Sequence, residues 1–196
     1  MKKHIIAAAV LACASIPSMA SDFYVLADAG QSKFEIDFEG ATLSKTDNIV
    51  GIGGGYKFNN NFAVELAYRD LGEMSEESSD SFGNGGYYVE KYTASASALQ
   101  LSVLGSISLG EAAKLYGRVG FADLELEGEY KYNETYNGET YSESASSSDS
   151  KNKAIFGAGL SYSFSPSFAM RAEYSQYAEW DDVTISTTTI GLTYQF

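Results

Sequence analysis

Few residues in this chain have acid–base potential where a reaction could use it. Asp28, Glu65 and Glu173, with Arg69, Arg118 and Arg171, stand inside otherwise alternating, largely apolar segments, whereas most other acids crowd into polar stretches. Three carboxylates suggest an acid–base pair, since two carboxyls in different surroundings can split the roles of acid and base. The rest of a catalytic set is missing. The one His, His4, and the one Cys, Cys13, both fall within the first twenty residues. Beyond them Ser-His-carboxylate catalysis has no base, and ordinary zinc sites have no nitrogen or sulfur ligand. The stronger reading is that the acids pair with the arginines, because a charge taken out of water needs a partner. No enzyme activity, metal or cofactor is expected. A formal net charge of −13 also argues against a nucleic-acid partner.

The first twenty residues read as a separate segment. Lys2 and Lys3 precede the apolar run Ile5 to Ala12, and Ser18-Met19-Ala20 is a small-x-small site. This pattern is a secretory signal peptide, with cleavage expected between Ala20 and Ser21 and one domain over 21–196. Lipidation at Cys13 is the weaker rival, because Leu11 suits a lipobox poorly. No stretch of 18 apolar residues follows, so no spanning helix is expected.

From residue 21 onward the pattern is period two. Eight strands are expected: about 23–32, then segments carrying Val50 to Phe58, Phe62 to Tyr68, Leu99 to Ile107, Leu115 to Phe121, Phe156 to Phe164, Phe168 to Tyr174 and Ile190 to Phe196. Three connections are short: Asn59-Asn60-Asn61, the segment around Leu109 to Ala113, and Ser165-Pro166-Ser167. The others, near 34–47, 72–92, 123–152 and 177–182, are longer and polar. In an antiparallel meander this puts every tight turn at one end and every elaborate connection at the other.

Alternation alone does not say which parity faces inward. The polar parity mixes Gly, Ser and Ala with the six charges named above, which suits a narrow interior better than a solvated face. The apolar parity ends in aromatics at the tight-turn end: Tyr56, Phe58, Phe62, Tyr162, Phe164, Phe168, Tyr194 and Phe196. Such a girdle marks a membrane interface. A charge on the lipid face costs about 2–4 kcal/mol at the midplane, and the mid-strand charges all keep to the other parity. The expected fold is therefore all-β: an eight-stranded antiparallel up-and-down transmembrane β-barrel with short periplasmic turns and long extracellular loops, in the bacterial outer membrane. Closure removes sheet edges, which lipid does not tolerate.

The terminal Thr189-x-Gly191-x-x-Tyr194-x-Phe196 is similar to the C-terminal signal of outer-membrane barrels, which implies recognition by the outer-membrane assembly machinery after escort by periplasmic chaperones. Asn61 to Tyr68 (NFAVELAY) and Ser165 to Tyr174 (SPSFAMRAEY) resemble strand three and the last tight turn with strand seven of the small eight-stranded OmpA-like membrane barrels. The resemblance spans 21–196. It implies that Glu65 pairs with Arg171 and obstructs the lumen. That family's alternative partners, a Lys on strand four and a Glu on strand six, are replaced by Leu104 and Ser161, so a plug is implied rather than a switch. The peptidoglycan-binding domain of the larger relatives is not expected, because the chain ends with the barrel.

The long connections carry the individuality of the chain. Residues 72–90 hold five acids and no base; residues 123–152 hold eight acids, two lysines, four tyrosines and the serine-rich run 144–150. Leu124 and Leu126 still alternate with acids, which suggests that strands five and six continue past the membrane. Tyrosine is an effective contact residue. The chain is thus expected to be a monomeric structural or surface-interaction barrel, in contact with outer-membrane lipid and lipopolysaccharide and open to a host, phage or matrix ligand at its loops. A small pore for ions or solutes is the alternative, because the Gly, Ala and Ser of the lumenal parity leave room for water.

Overall fold

The structure is a computed structural model, described here for residues 22–38, 41–83, 86–136, 138–179 and 183–196. The expected cleavage between Ala20 and Ser21 lies outside these residues. Eight strands form the chain: β1 (Phe23–Phe38), β2 (Ala41–Lys57), β3 (Phe62–Phe82), β4 (Gly86–Ser108), β5 (Ala113–Tyr136), β6 (Glu139–Ser163), β7 (Phe168–Tyr177) and β8 (Val183–Gln195). Each pairs antiparallel with the next. β8 returns to β1 from Tyr24↔Gln195 to Ile36↔Val183, so the sheet is a closed barrel.

The tight turns are built by side chains that cap the backbone. Asn59 Oδ1 accepts the N–H groups of Asn61 (2.8 Å) and Phe62 (2.9 Å), and Ser165 Oγ accepts that of Phe168 (3.0 Å). Short polar side chains close turns in this way without a ladder partner. Gly110, at φ +142, takes a conformation that favours glycine.

Alternation resolves into two environments. Outward-facing Leu66, Leu101, Val119, Phe121, Phe156, Leu160, Met170, Ile190 and Leu192 are all exposed large apolar residues. The opposite parity is buried, down to full burial of Glu65 and Gln100. A water-soluble barrel would have the reverse arrangement. The outward apolar band meets rings at the tight-turn end, where Phe168 lies 5.0 Å from Tyr194 and 6.0 Å from Phe164, centroid to centroid.

The long connections differ in detail from the expectation. Segments 72–92 and 123–152 are strand almost to their tips, with β3 and β4 paired up to Phe82↔Gly86 and β5 and β6 up to Tyr136↔Glu139. β2 leaves β3 after Val50↔Asp70, and β7 joins β6 only from Ile155↔Tyr177. Beyond those points β3–β6 project as a four-stranded sheet. A bulge between Asp70 and Gly72 marks the departure. There Gly72 has φ +105, Ser32 Oγ donates to Leu71 O (2.6 Å), and Asp47 Oδ2 accepts the Glu73 N–H (2.6 Å). Bulges turn a strand out of its sheet in this way. The projection lacks the aliphatic alternation of the barrel because neither of its faces meets lipid.

Candidate functional site

The lumen is layered. Its middle layer gathers all six charges singled out in the sequence. Arg171 bonds Glu65 (2.7 Å) and Glu173 (2.8 Å); Arg118 bonds Glu173 (3.1 Å) and Glu65; Arg69 bonds Asp28 (2.9 Å) and Glu173 (3.2 Å). Three arginines meet three carboxylates, so the layer is neutral. Glu173 is its hub, touching all three guanidiniums.

Several partners of this layer escape the sequence reading. Tyr24 donates to Glu65 Oε2 (2.9 Å), Tyr116 to Glu173 Oε2 (2.8 Å) and Ser175 to Glu173 Oε1 (2.9 Å). Gln100 accepts from Arg69 at 3.4 Å and bonds the Tyr177 hydroxyl. All lie on the lumenal parity, so register alone would have found them. Among the described residues, Arg118 Nε is the one buried side-chain nitrogen or oxygen without a partner. Glycine makes the room: a Cβ on Gly51 would come 2.7 Å from Arg69 Cγ, and one on Gly191 would come 2.9 Å from Asp28 Cβ. Leu104, also on this parity, is buried.

Above this layer, toward the projection, the lumen is apolar. Ile49, Leu71, Ala98, Ala122, Leu124, Ile155, Tyr177 and Ile185 form one buried cluster, with Phe34, Leu126 and Val183 packed against it. The sequence reading expects a lumen of small polar residues and misses this cap, because Leu and Ile are also the residue types of the lipid face. Below the charges, at the tight-turn end, a vestibule of ≈ 120 Å³ is lined by Lys57, Lys114, Ser161, Thr193 and Gln195, among others. Beside the charges lies a void of ≈ 10 Å³, about the least that holds one water.

The terminal residues singled out in the sequence are all placed on or beside β8. Thr189 and Gly191 face the lumen opposite Gly30 and Asp28. Tyr194 faces outward against Phe168, and the Phe196 N–H donates to Phe23 O (3.2 Å).

The projecting sheet has two unlike faces. Cross-strand register sets four successive rows on the face that continues the lumen: Glu76, Tyr92, Tyr130 and Ala145; then Ser78, Glu90, Tyr132 and Glu143; then Asp80, Tyr88, Glu134 and Tyr141; then Phe82, Gly86, Tyr136 and Glu139. Tyr92 and Tyr130 lie 4.8 Å apart, Tyr88 and Tyr132 6.1 Å, and Phe82 and Tyr136 6.0 Å. The Tyr132 hydroxyl donates to Glu134 (2.9 Å), which pushes that phenol up to about 12. The opposite face is mostly hydroxyl: its rows include Ser75, Thr93, Glu129 and Ser146, then Ser79, Val89, Asn133 and Ser142.

Residues 6–196 match the family model described as outer membrane protein beta-barrel domain. The chain is 26% identical over 200 residues to the attachment invasion locus protein of Yersinia pseudotuberculosis serotype I (strain IP32953), covering 100% of this chain and 98% of that protein. It is also 26% identical over 202 residues to the attachment invasion locus protein of Yersinia enterocolitica, covering 100% of both. Among solved structures, Neisserial surface protein A is similar in fold, at TM-score 0.52 and 14% identity, over 89% of this chain and 97% of that one.

Proposed function

The chain belongs to the outer membrane protein β-barrel domain family, and on that premise we propose that it is a non-enzymatic surface-interaction protein whose barrel is a plugged scaffold for the projecting sheet. Its place is the outer membrane, and its relatives include proteins named for attachment and invasion. The observation that carries the reading is the projection itself: strands up to 25 residues long, where about 9–11 span a membrane. The excess is ordered sheet with exposed rings, Tyr141 among them at 60%. Exposed apolar and aromatic patches of this kind mark interaction sites.

The remaining parts follow from this reading. Residues 1–20 serve as a secretory signal removed at Ala20–Ser21. The Thr189, Gly191, Tyr194 and Phe196 pattern is read by the barrel-assembly machinery, with periplasmic chaperones keeping the chain available until then. The folded protein is a monomer among lipid and lipopolysaccharide, and its external sheet meets a host, phage or matrix ligand.

Replacing 127–148 by a tight turn should leave a folded, heat-modifiable barrel on unboiled gels. The same variant should lose binding to cultured cells or extracellular matrix; undiminished binding would remove the projection from the account.

The vestibule of ≈ 120 Å³ favours a second reading, a small pore. An apolar cap and a void of ≈ 10 Å³ support a plug instead, since an ion does not cross a dry apolar layer cheaply. The refolded protein in a planar bilayer should therefore be silent. Discrete conductance steps in the wild type would transfer the function to the pore and make Glu65 and Arg171 its gate.

A further inference from the structure

We propose that the aromatic–carboxylate face of the projecting sheet is a docking site for a lysine- or arginine-rich segment of a polypeptide. The proposal rests on the surface-interaction reading and adds the chemistry of the partner.

Charge is the first ground. The four rows of this face carry six carboxylates, and among the described residues no Lys or Arg stands on them. The lysines of the same stretch, Lys91 and Lys131, share a row on the opposite face, where Lys131 bonds Glu129 at 2.9 Å. Lys151 and Lys153 do share the face of the rings, but they stand nearer the barrel, opposite Leu124 and Ala122 and outside these four rows. Self-repulsion among uncompensated carboxylates disfavours this arrangement in the free protein, and an arriving cation relieves it.

The pattern of the face is the second ground. Around Glu90 and Glu134, carboxylates and rings alternate. Glu90 is flanked along β4 by Tyr88 and Tyr92 and faces Tyr132 across the strands; Glu134 is flanked by Tyr132 and Tyr136 and faces Tyr88 and Tyr141. An ammonium or guanidinium over one ring therefore lies beside a carboxylate as well. It gains the ring quadrupole and a charge-assisted hydrogen bond at one position. Neighbouring strands lie about 4.8 Å apart, and alternate residues of an extended peptide about 6.6–6.8 Å, so successive basic side chains can meet successive squares. Tyr92, Phe82 and Tyr136 are exposed at 55%, 40% and 41%, so the rings are accessible.

A sulfated or phosphorylated polyanion is repelled by the same face. A neutral glycan would use the rings but gain nothing from the carboxylates. With a net charge of −13, the whole chain also steers cations toward itself.

The test uses the full folded protein in zwitterionic micelles and a fluorescent peptide of alternating Lys, Arg and Ser, titrated by anisotropy. The triple variant E90Q/E134Q/E143Q removes three charges from the face. A matched triple, E73Q/E127Q/E129Q, removes three from the other face, so the two variants have the same net charge. Heat-modifiable mobility confirms that both are folded. The first triple should weaken peptide binding by about tenfold or more, the second by less than about twofold. Equal weakening by both triples, absence of peptide binding to the wild type, or preferential capture of a neutral oligosaccharide would each overturn the proposal. Loss of cell binding on shortening 127–148, with no binding of the peptide, would leave the surface-interaction reading standing and discard the cationic partner.

Discussion

Glu173→Ala should lower the unfolding free energy of the barrel by about 3–5 kcal/mol, the cost of breaking a buried ion pair from one side. Glu173 is the shared acceptor of Arg69, Arg118 and Arg171, and it also takes the hydroxyls of Tyr116 and Ser175. Truncation leaves three buried guanidiniums with only Glu65 and Asp28 between them. The Tyr116 and Ser175 hydroxyls lose an acceptor at the same time. Asp28→Asn should cost less, because Arg69 keeps Glu173. Urea titration of the micelle-refolded protein, followed by circular dichroism and by gel mobility, reads both. A loss below about 1 kcal/mol for Glu173→Ala would mean that solvent reaches the layer and screens it, as at surface pairs.

Leu101→Arg should cost about 2–4 kcal/mol in a bilayer, the penalty for a cation on the lipid face near the midplane. Leu101 lies near the middle of the barrel-forming part of β4, between Leu66 on β3 and Phe121 on β5, and it is 56% exposed. Its direct cross-strand partners carry no charge; Asp123, opposite Leu99, is a diagonal carboxylate on the same face, so the cost is read in an Asp123→Asn background. The comparison with Ser97→Arg is instructive. Ser97 has the same parity, lies closer to the projection and pairs across the strands with Asp70 and Glu125, so depth and two facing carboxylates together bring the penalty toward about 0–1 kcal/mol. Equal losses at the two sites would place the hydrocarbon band elsewhere on the barrel.

The barrel was legible because lipid and lumen impose opposite demands on successive residues, and a period of two records both. The six mid-strand charges were legible for the same reason: Glu65 and Arg171 interrupt alternation on one parity only. Other parts of the lumen left no such trace. Ile49, Leu71, Leu124 and Ile155 have the side chains of the lipid face, and only their register assigns them to an apolar cap inside. Tyr24 and Tyr116 read as apolar residues until their hydroxyls are found on Glu65 and Glu173. The projection was half legible. Leu124 and Leu126 alternating with acids hinted that β5 continues, but Ser144 to Ser150 has no hydrophobic period, since water covers both sides and the backbone ladder alone makes the strand.

The seam between β1 and β8 constrains how the molecule comes to exist. Tyr24 meets Gln195 and Ile36 meets Val183, pairings between residues near opposite ends of the described chain. Hairpins such as β5–β6 are local and can form early; the seam is the most remote contact and comes slowly. A seven-strand intermediate would carry two open edges, each a row of peptide groups that hydrocarbon cannot solvate. Membrane entry and tertiary closure are therefore one kinetic event. A defect at the seam, unlike one in the projection, would appear as a stalled chain outside the bilayer and not as a leaky barrel within it.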